Sequence, residues 1–122
     1  MRLVAALAAL GLGLAAAASS AQSPGDPAAG EDIYLDRCVM CHAPDGGGQG
    51  PSLNGLFGRK AGSMAGFAYS AALKESGLTW TGPELDRFLA DPRQAAPGTA
   101  MPITVPDPKQ RADLISYFAS RR

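Results

Sequence analysis

At 122 residues, with 11 basic and 11 acidic side chains, the chain has material for one small domain and no length to spare for a second. The balanced charge leaves no basic stripe to neutralise phosphates, which excludes nucleic acid as a partner. Fifteen glycines and ten prolines limit the apolar core that the chain can build unaided.

The chain opens with MRLVAALAALGLGLAAAASSA, one positive charge at Arg2 followed by an uncharged Ala/Leu run that ends in small residues. That is the order of a secretory leader, and it predicts a signal peptide over residues 1–21 and a mature domain over residues 22–122. Cleavage falls after Ala21, with Ala18 as the other candidate. The run is short and weakly apolar for a membrane span. A leader that is retained as a tether stays as the alternative.

Asp26-Pro27 supplies an N-cap and a proline for the first helical position, opening a helix to about Met40 with Ile33, Tyr34 and Cys38 on related turns. At its end stands CVMCH, residues 38–42, which holds both cysteines and the only histidine. A dithiol redox site would ask for a preceding strand in a βαβ pattern, and no Val/Ile-rich strand precedes it. Structural zinc would need further ligands, and only carboxylates remain to complete its shell. A disulfide between Cys38 and Cys41 would close too small a loop to stabilise much. Covalent haem attachment needs what is present: thiols spaced for the two vinyl groups of one porphyrin, and an adjacent histidine, His42, to ligate iron. Export fits this reading, because thioether bonds consume both cysteines before an oxidising compartment can pair them. The porphyrin would also supply the missing apolar centre.

The next stretch, APDGGGQGPSLNGLFGRKAG, is too rich in glycine for a regular element, yet it holds Leu53, Leu56 and Phe57, as a loop wrapped around something does. Ser70 and Gly77 bracket a short helix. Thr81 with Glu84 forms a capping box for the next helix, which ends before Pro92. Asp107-Pro108 opens a last helix with Leu114, Ile115 and Phe118 on one stripe. No strand signal stands out, and the predicted class is all-α. A second axial iron ligand has two methionine candidates. Met1 leaves with the leader and Met40 lies inside the attachment motif. Met64 sits in the flexible AGSMAG, whereas Pro97 and Pro102 restrict the backbone around Met101. The residues alone do not decide between Met64 and Met101, either of which could simply fill a gap in the core.

CVMCH, GPSLNGLFGRKAG, GFAYSAALKESGLTW, LADP, PGTAMP and RADLISYF, in this order and spacing, resemble the class I c-type cytochromes, of the mitochondrial cytochrome c and bacterial cytochrome c2 kind. The resemblance runs from about Gly30 to Phe118. It implies about four helices with long loops wrapped around one haem c, attached through thioethers at Cys38 and Cys41. The first and last helices would cross at right angles, with Gly30 and Tyr34 against Leu114 and Tyr117. It implies His42 and Met101 as the axial ligands, with the PGT motif preceding the methionine, and Pro51 as the carbonyl that orients the histidine. Arg59, Tyr69, Trp80 and Thr99 match positions that hydrogen-bond or screen the haem propionates. Leu73 and Phe88 depart from the mitochondrial pattern, which has polar residues there, so a polar network beside the methionine is expected to be missing. The path after Met101, PITVPDP, also departs from it.

The implied function is one-electron transfer in the periplasm and not enzymatic catalysis, since there is no second histidine for acid/base work and no free thiol. The implied carrier is monomeric and shuttles between a membrane quinol-oxidising cytochrome complex, or a periplasmic dehydrogenase, and a terminal oxidase. Two alternatives stay open: a dedicated electron-transfer subunit of a dehydrogenase, and a gas-binding or peroxidatic haem protein if Met101 does not ligate. Of the lysine ring that mitochondrial proteins place around the haem edge, only Arg37 and Arg93 are basic here. Gln94 and Ala100 replace other basic positions. The small residues Ala43, Ala95, Ala96 and Ala100 near that edge either suit docking by brief apolar contact or simply pack the loop.

Overall fold

The computed structural model describes residues 24–121; the expected leader, 1–21, lies outside them. Five helices follow in order: α1 (Pro27–Arg37), α2 (Ala71–Glu75), α3 (Gly82–Ala90), α4 (Pro92–Ala95) and α5 (Pro108–Ser120). Long loops join them, and among the described residues the extended pairing amounts to one isolated antiparallel bridge between Lys60 and Thr79. The chain is all-α, as its sequence predicts.

Local chemistry explains each start. Asp26, Asp91 and Asp107 all precede a proline, and each side chain accepts a backbone N–H in the first turn of α1, α4 and α5, respectively. Ser70 and Thr81 do the same for α2 and α3. The four-residue α4 was not among the expected elements, although its Asp91-Pro92 start repeats the signal read at the other two. Glu84 does not close the expected capping box. Its carboxylate pairs with Arg87 at 2.8 Å, one turn further on. Helix α1 stops three residues short of the expected Met40, because the Tyr34 carbonyl accepts from both Cys38 and Val39 and so ends the regular ladder.

Helices α1 and α5 pack closely, and Gly30 permits it. A Cβ there would overlap the Asp113 carbonyl and lie 2.8 Å from the Tyr117 Cβ. The Tyr34 and Tyr117 rings stack with centroids 5.6 Å apart, beside Leu114, which is fully buried. Asp113, itself buried on α5, accepts the Asp26 backbone N–H at 2.7 Å and pairs with Lys109, so α5 also caps the entry to α1.

The path after Met101 is set by α3 and α5. Val105 is 3% exposed and its N–H donates to the Leu89 carbonyl at 2.7 Å. Arg111 donates to the carbonyls of Val105 and Pro106, both at 2.9 Å, and to Asp86 on α3 at 2.7 Å. These bonds hold the segment that carries Met101 against the helical frame.

Candidate cofactor site

CVMCH forms the turn that follows α1. Cys38 is the C-cap of α1, and its carbonyl accepts from Cys41 at 3.1 Å and from His42 at 2.8 Å, which wraps the motif into a compact turn. Cys38 and Cys41 are not joined to each other in a disulfide, and each is partly buried. Burial pushes the Cys38 thiol above its ordinary value, against the opposing pull of the Arg37 guanidinium. A dithiol redox site works through a depressed thiol, so this shift runs against that chemistry. The zinc reading also lacks a shell, because no group of three or more His, Cys, Asp or Glu is placed to hold a metal ion among the described residues.

His42 is aimed by the glycine-rich loop. Its Nδ1 lies 2.7 Å from the Pro51 carbonyl, which can only accept, so Nδ1 carries a proton, and in the neutral ring Nε2 keeps its lone pair. Gly50 makes the approach possible. A Cβ at that residue would sit 2.6 Å from Nδ1 and 3.1 Å from Nε2, inside the imidazole's own space. The steric need for glycine at this position is visible only once the loop is folded against the ring.

The motif borders a cavity of about 310 Å³ that opens to the surface on one side. Cys38, Cys41 and His42 line it together with Leu53, Leu56, Leu73, Leu85, Phe88 and Leu114, and Met101 joins them from the segment that Arg111 and Val105 hold in place. Thiols, a histidine with a free lone pair, a thioether and apolar walls suit a flat apolar macrocycle around an iron. The donors are soft or nitrogenous, and the walls offer little to a hydrated ion. The residues present therefore fit a haem.

Every other residue singled out in the sequence as binding the cofactor, Pro51, Arg59, Tyr69, Trp80 and Thr99, lines this cavity. Arg59 spends two of its donors on the loop, at 2.9 Å to the Asn54 carbonyl and 3.4 Å to that of Ser52. Its remaining N–H groups are not used in these bonds. The Tyr69 hydroxyl accepts from the Met64 N–H at 3.3 Å, and Trp80 packs edge-on against Phe88 with centroids 4.9 Å apart. The Thr99 hydroxyl accepts the Met101 N–H at 3.4 Å, so it braces the backbone of the methionine. Met64 is not part of the lining. Leu73 and Phe88, both buried, line the same cavity as Met101 with apolar surface.

The expected apolar docking edge needs correction. Ala96 is 2% exposed, because its N–H and carbonyl close the turn between Pro92 and Thr99 and draw it into the core. Of the four alanines only Ala100 is both exposed and part of the cavity lining. The exposed lining residues are Arg37, Gln49, Ala100, Pro102 and Ile103.

The Cytochrome c family profile matches residues 27–122. A cytochrome c of Guizotia abyssinica is 45% identical over 106 residues, covering 83% of this chain and 96% of that one. A cytochrome c of Chlamydomonas reinhardtii is 46% identical over 103 residues, 80% of this chain and 92% of that one. Among solved structures, the cytochrome cH from Methylobacterium extorquens superposes with a TM-score of 0.74 at 45% identity, over 79% of this chain and 99% of that one. The chain belongs to the cytochrome c family, in its class I fold, with covalently attached haem c as cofactor and electron transport as its work.

Proposed function

We propose that the chain is a periplasmic one-electron carrier, a monomer released from its leader after Ala21, with His42 and Met101 as the iron's axial ligands. One observation supports this most: His42, with Nδ1 committed to Pro51 and Nε2 free, lines the same apolar cavity as Met101. Cys38 and Cys41 would hold the haem through thioethers. Arg59, Tyr69, Trp80 and Thr99 would bind or screen its propionates, lowering the cost of burying carboxylates. Bound there, haem supplies a ferric/ferrous couple, and a thioether ligand favours the ferrous form and raises the potential. The chain's own part is to keep the ligands still between oxidation states and to exclude water. The shortage of acid/base and nucleophilic groups supports a carrier rather than an enzyme.

The partners fitting this reading are a membrane quinol-oxidising cytochrome complex or a periplasmic dehydrogenase on the donor side, and a terminal oxidase on the acceptor side. Among the described residues, no helix is long and apolar enough to cross a membrane. The test is to express the full chain in a bacterium that attaches c-type haem, and to fractionate the cells. A periplasmic, haem-stained polypeptide, shortened by the leader and taking up one electron reversibly without consuming oxygen or peroxide, is expected. Peroxide turnover, or constant co-purification with one dehydrogenase, would contradict a mobile carrier.

A further inference from the structure

The hold on His42 does not end at its ring. The Tyr34 hydroxyl, reaching forward from α1, donates to the His42 carbonyl at 2.8 Å. Tyr34 is 7% exposed, its ring stacks 5.6 Å from Tyr117 and meets Phe118 edge-on at 6.4 Å, so α5 fixes where the hydroxyl points. The His42 N–H closes onto the Cys38 carbonyl at 2.8 Å, and Nδ1 is bonded to Pro51 at 2.7 Å. Three separate stretches of chain thus grip one residue. The α1–α5 packing does not itself call for a hydroxyl, since a phenylalanine ring would fill the same space and stack the same way. A buried hydroxyl costs free energy unless it is bonded, so what it contributes is its bond, and the acceptor is His42.

We infer that Tyr34 is a positioning residue for the iron ligand. Its O–H···O=C bond clamps the His42 backbone to the α1–α5 contact, so helix packing as well as the glycine-rich loop aims the imidazole. The inference rests on His42 being an axial ligand. A fixed backbone keeps the Nδ1–H donating to the Pro51 carbonyl, which makes the imidazole a better electron donor and favours ferric iron. Loosening it weakens that donation.

The test compares the haem-loaded protein with its Tyr34→Phe and Tyr117→Phe variants. Tyr117→Phe removes a hydroxyl from the same stack without touching His42. Nuclear magnetic resonance first shows whether the His42 ring protons of the unsubstituted protein are shifted by the iron. Unshifted protons mean that the ligand reading itself fails, and Tyr34 then has nothing to position. With His42 ligated, Tyr34→Phe is expected to speed deuterium exchange of the Nδ1 proton by about fivefold to tenfold, the factor that one hydrogen bond represents. The midpoint potential should rise with it, while the Leu89 amide in α3 exchanges as before and Tyr117→Phe changes neither quantity. No change in exchange or potential in Tyr34→Phe overturns the inference. Equal acceleration at Leu89 also overturns it, because that marks general loss of stability. So does a matching effect of Tyr117→Phe, which would place the cause in the stack and not in the bond.

Discussion

Gly50 and His42 show how a residue without a side chain becomes part of a histidine's geometry. The imidazole occupies the volume a Cβ at residue 50 would need, and the Pro51 carbonyl next to it sets which nitrogen keeps its proton. Gly50→Ala must therefore push either the ring or the loop aside. The expected outcome is holoprotein yield at least several-fold lower, with a potential displaced from that of the unsubstituted protein, because the Pro51 bond stretches as the ring moves. Gly55→Ala serves as the comparison for a glycine whose added Cβ meets nothing within 4 Å, though its positive φ of 65° adds backbone strain. Spectral and redox titration of both proteins checks this, and an unaltered potential in Gly50→Ala would count against a steric role. At Met101, the Thr99 hydroxyl on its N–H and the absence of Met64 from the cavity lining together favour the ligand that the PGT motif implied.

At the scale of elements, the α1–α5 contact is tied by a buried carboxylate. Asp113 titrates below its ordinary value of 3.8, chiefly through its bond with Lys109 and then through the Asp26 N–H. A carboxyl whose folded value is depressed adds stability above its unfolded pKa and loses it as pH falls through the folded one. Asp113→Asn should thus cost about 1–3 kcal/mol near neutral pH, the cost of disturbing a buried hydrogen-bonded group. The difference from the unsubstituted protein should shrink as pH drops below 3.8. Denaturant titration at pH 7 and pH 3 measures both, and a gap that stays constant with pH would rule out the charge as the cause. The helices were legible in the sequence because their starts depend on neighbours in the chain: Asp-Pro, Ser70 and Thr81 cap whatever follows them. The missed α4 carries the same Asp91-Pro92 signal and was hidden only by its length. The early end of α1 was not legible, because it depends on one carbonyl, that of Tyr34, taking two donors. Likewise Ala96 reads as a small surface residue until its turn is seen folded inward. The cofactor's attachment point was legible because both cysteines and the histidine lie in five consecutive residues, whereas the course of the chain after Met101 depends on the distant Arg111 and Asp86.

Considered as a whole, the molecule puts one formal charge among the exposed residues that line its cavity. Arg37 is that charge, and its guanidinium rests on neutral acceptors, the Gln110 side chain at 3.1 Å and the Thr104 carbonyl at 3.4 Å. Ala100, Pro102 and Ile103 supply apolar surface beside it, and Met40, in the attachment turn, is 84% exposed. A rim of this kind gives a short contact but little long-range steering. The second-order rate of electron transfer to its natural partner should fall by less than about tenfold between low and physiological salt; a fall of about a hundredfold would show that charge governs the encounter. The central claim is that one covalently held haem lies between His42 and Met101, and it is tested most directly by the far-red absorption of the ferric protein, where a weak band reports iron–sulfur bonding. The band should be present in the unsubstituted protein and in Met64→Ala, and absent from Met101→Ala. Its loss in Met64→Ala and survival in Met101→Ala, or its absence from the unsubstituted protein, would contradict the account.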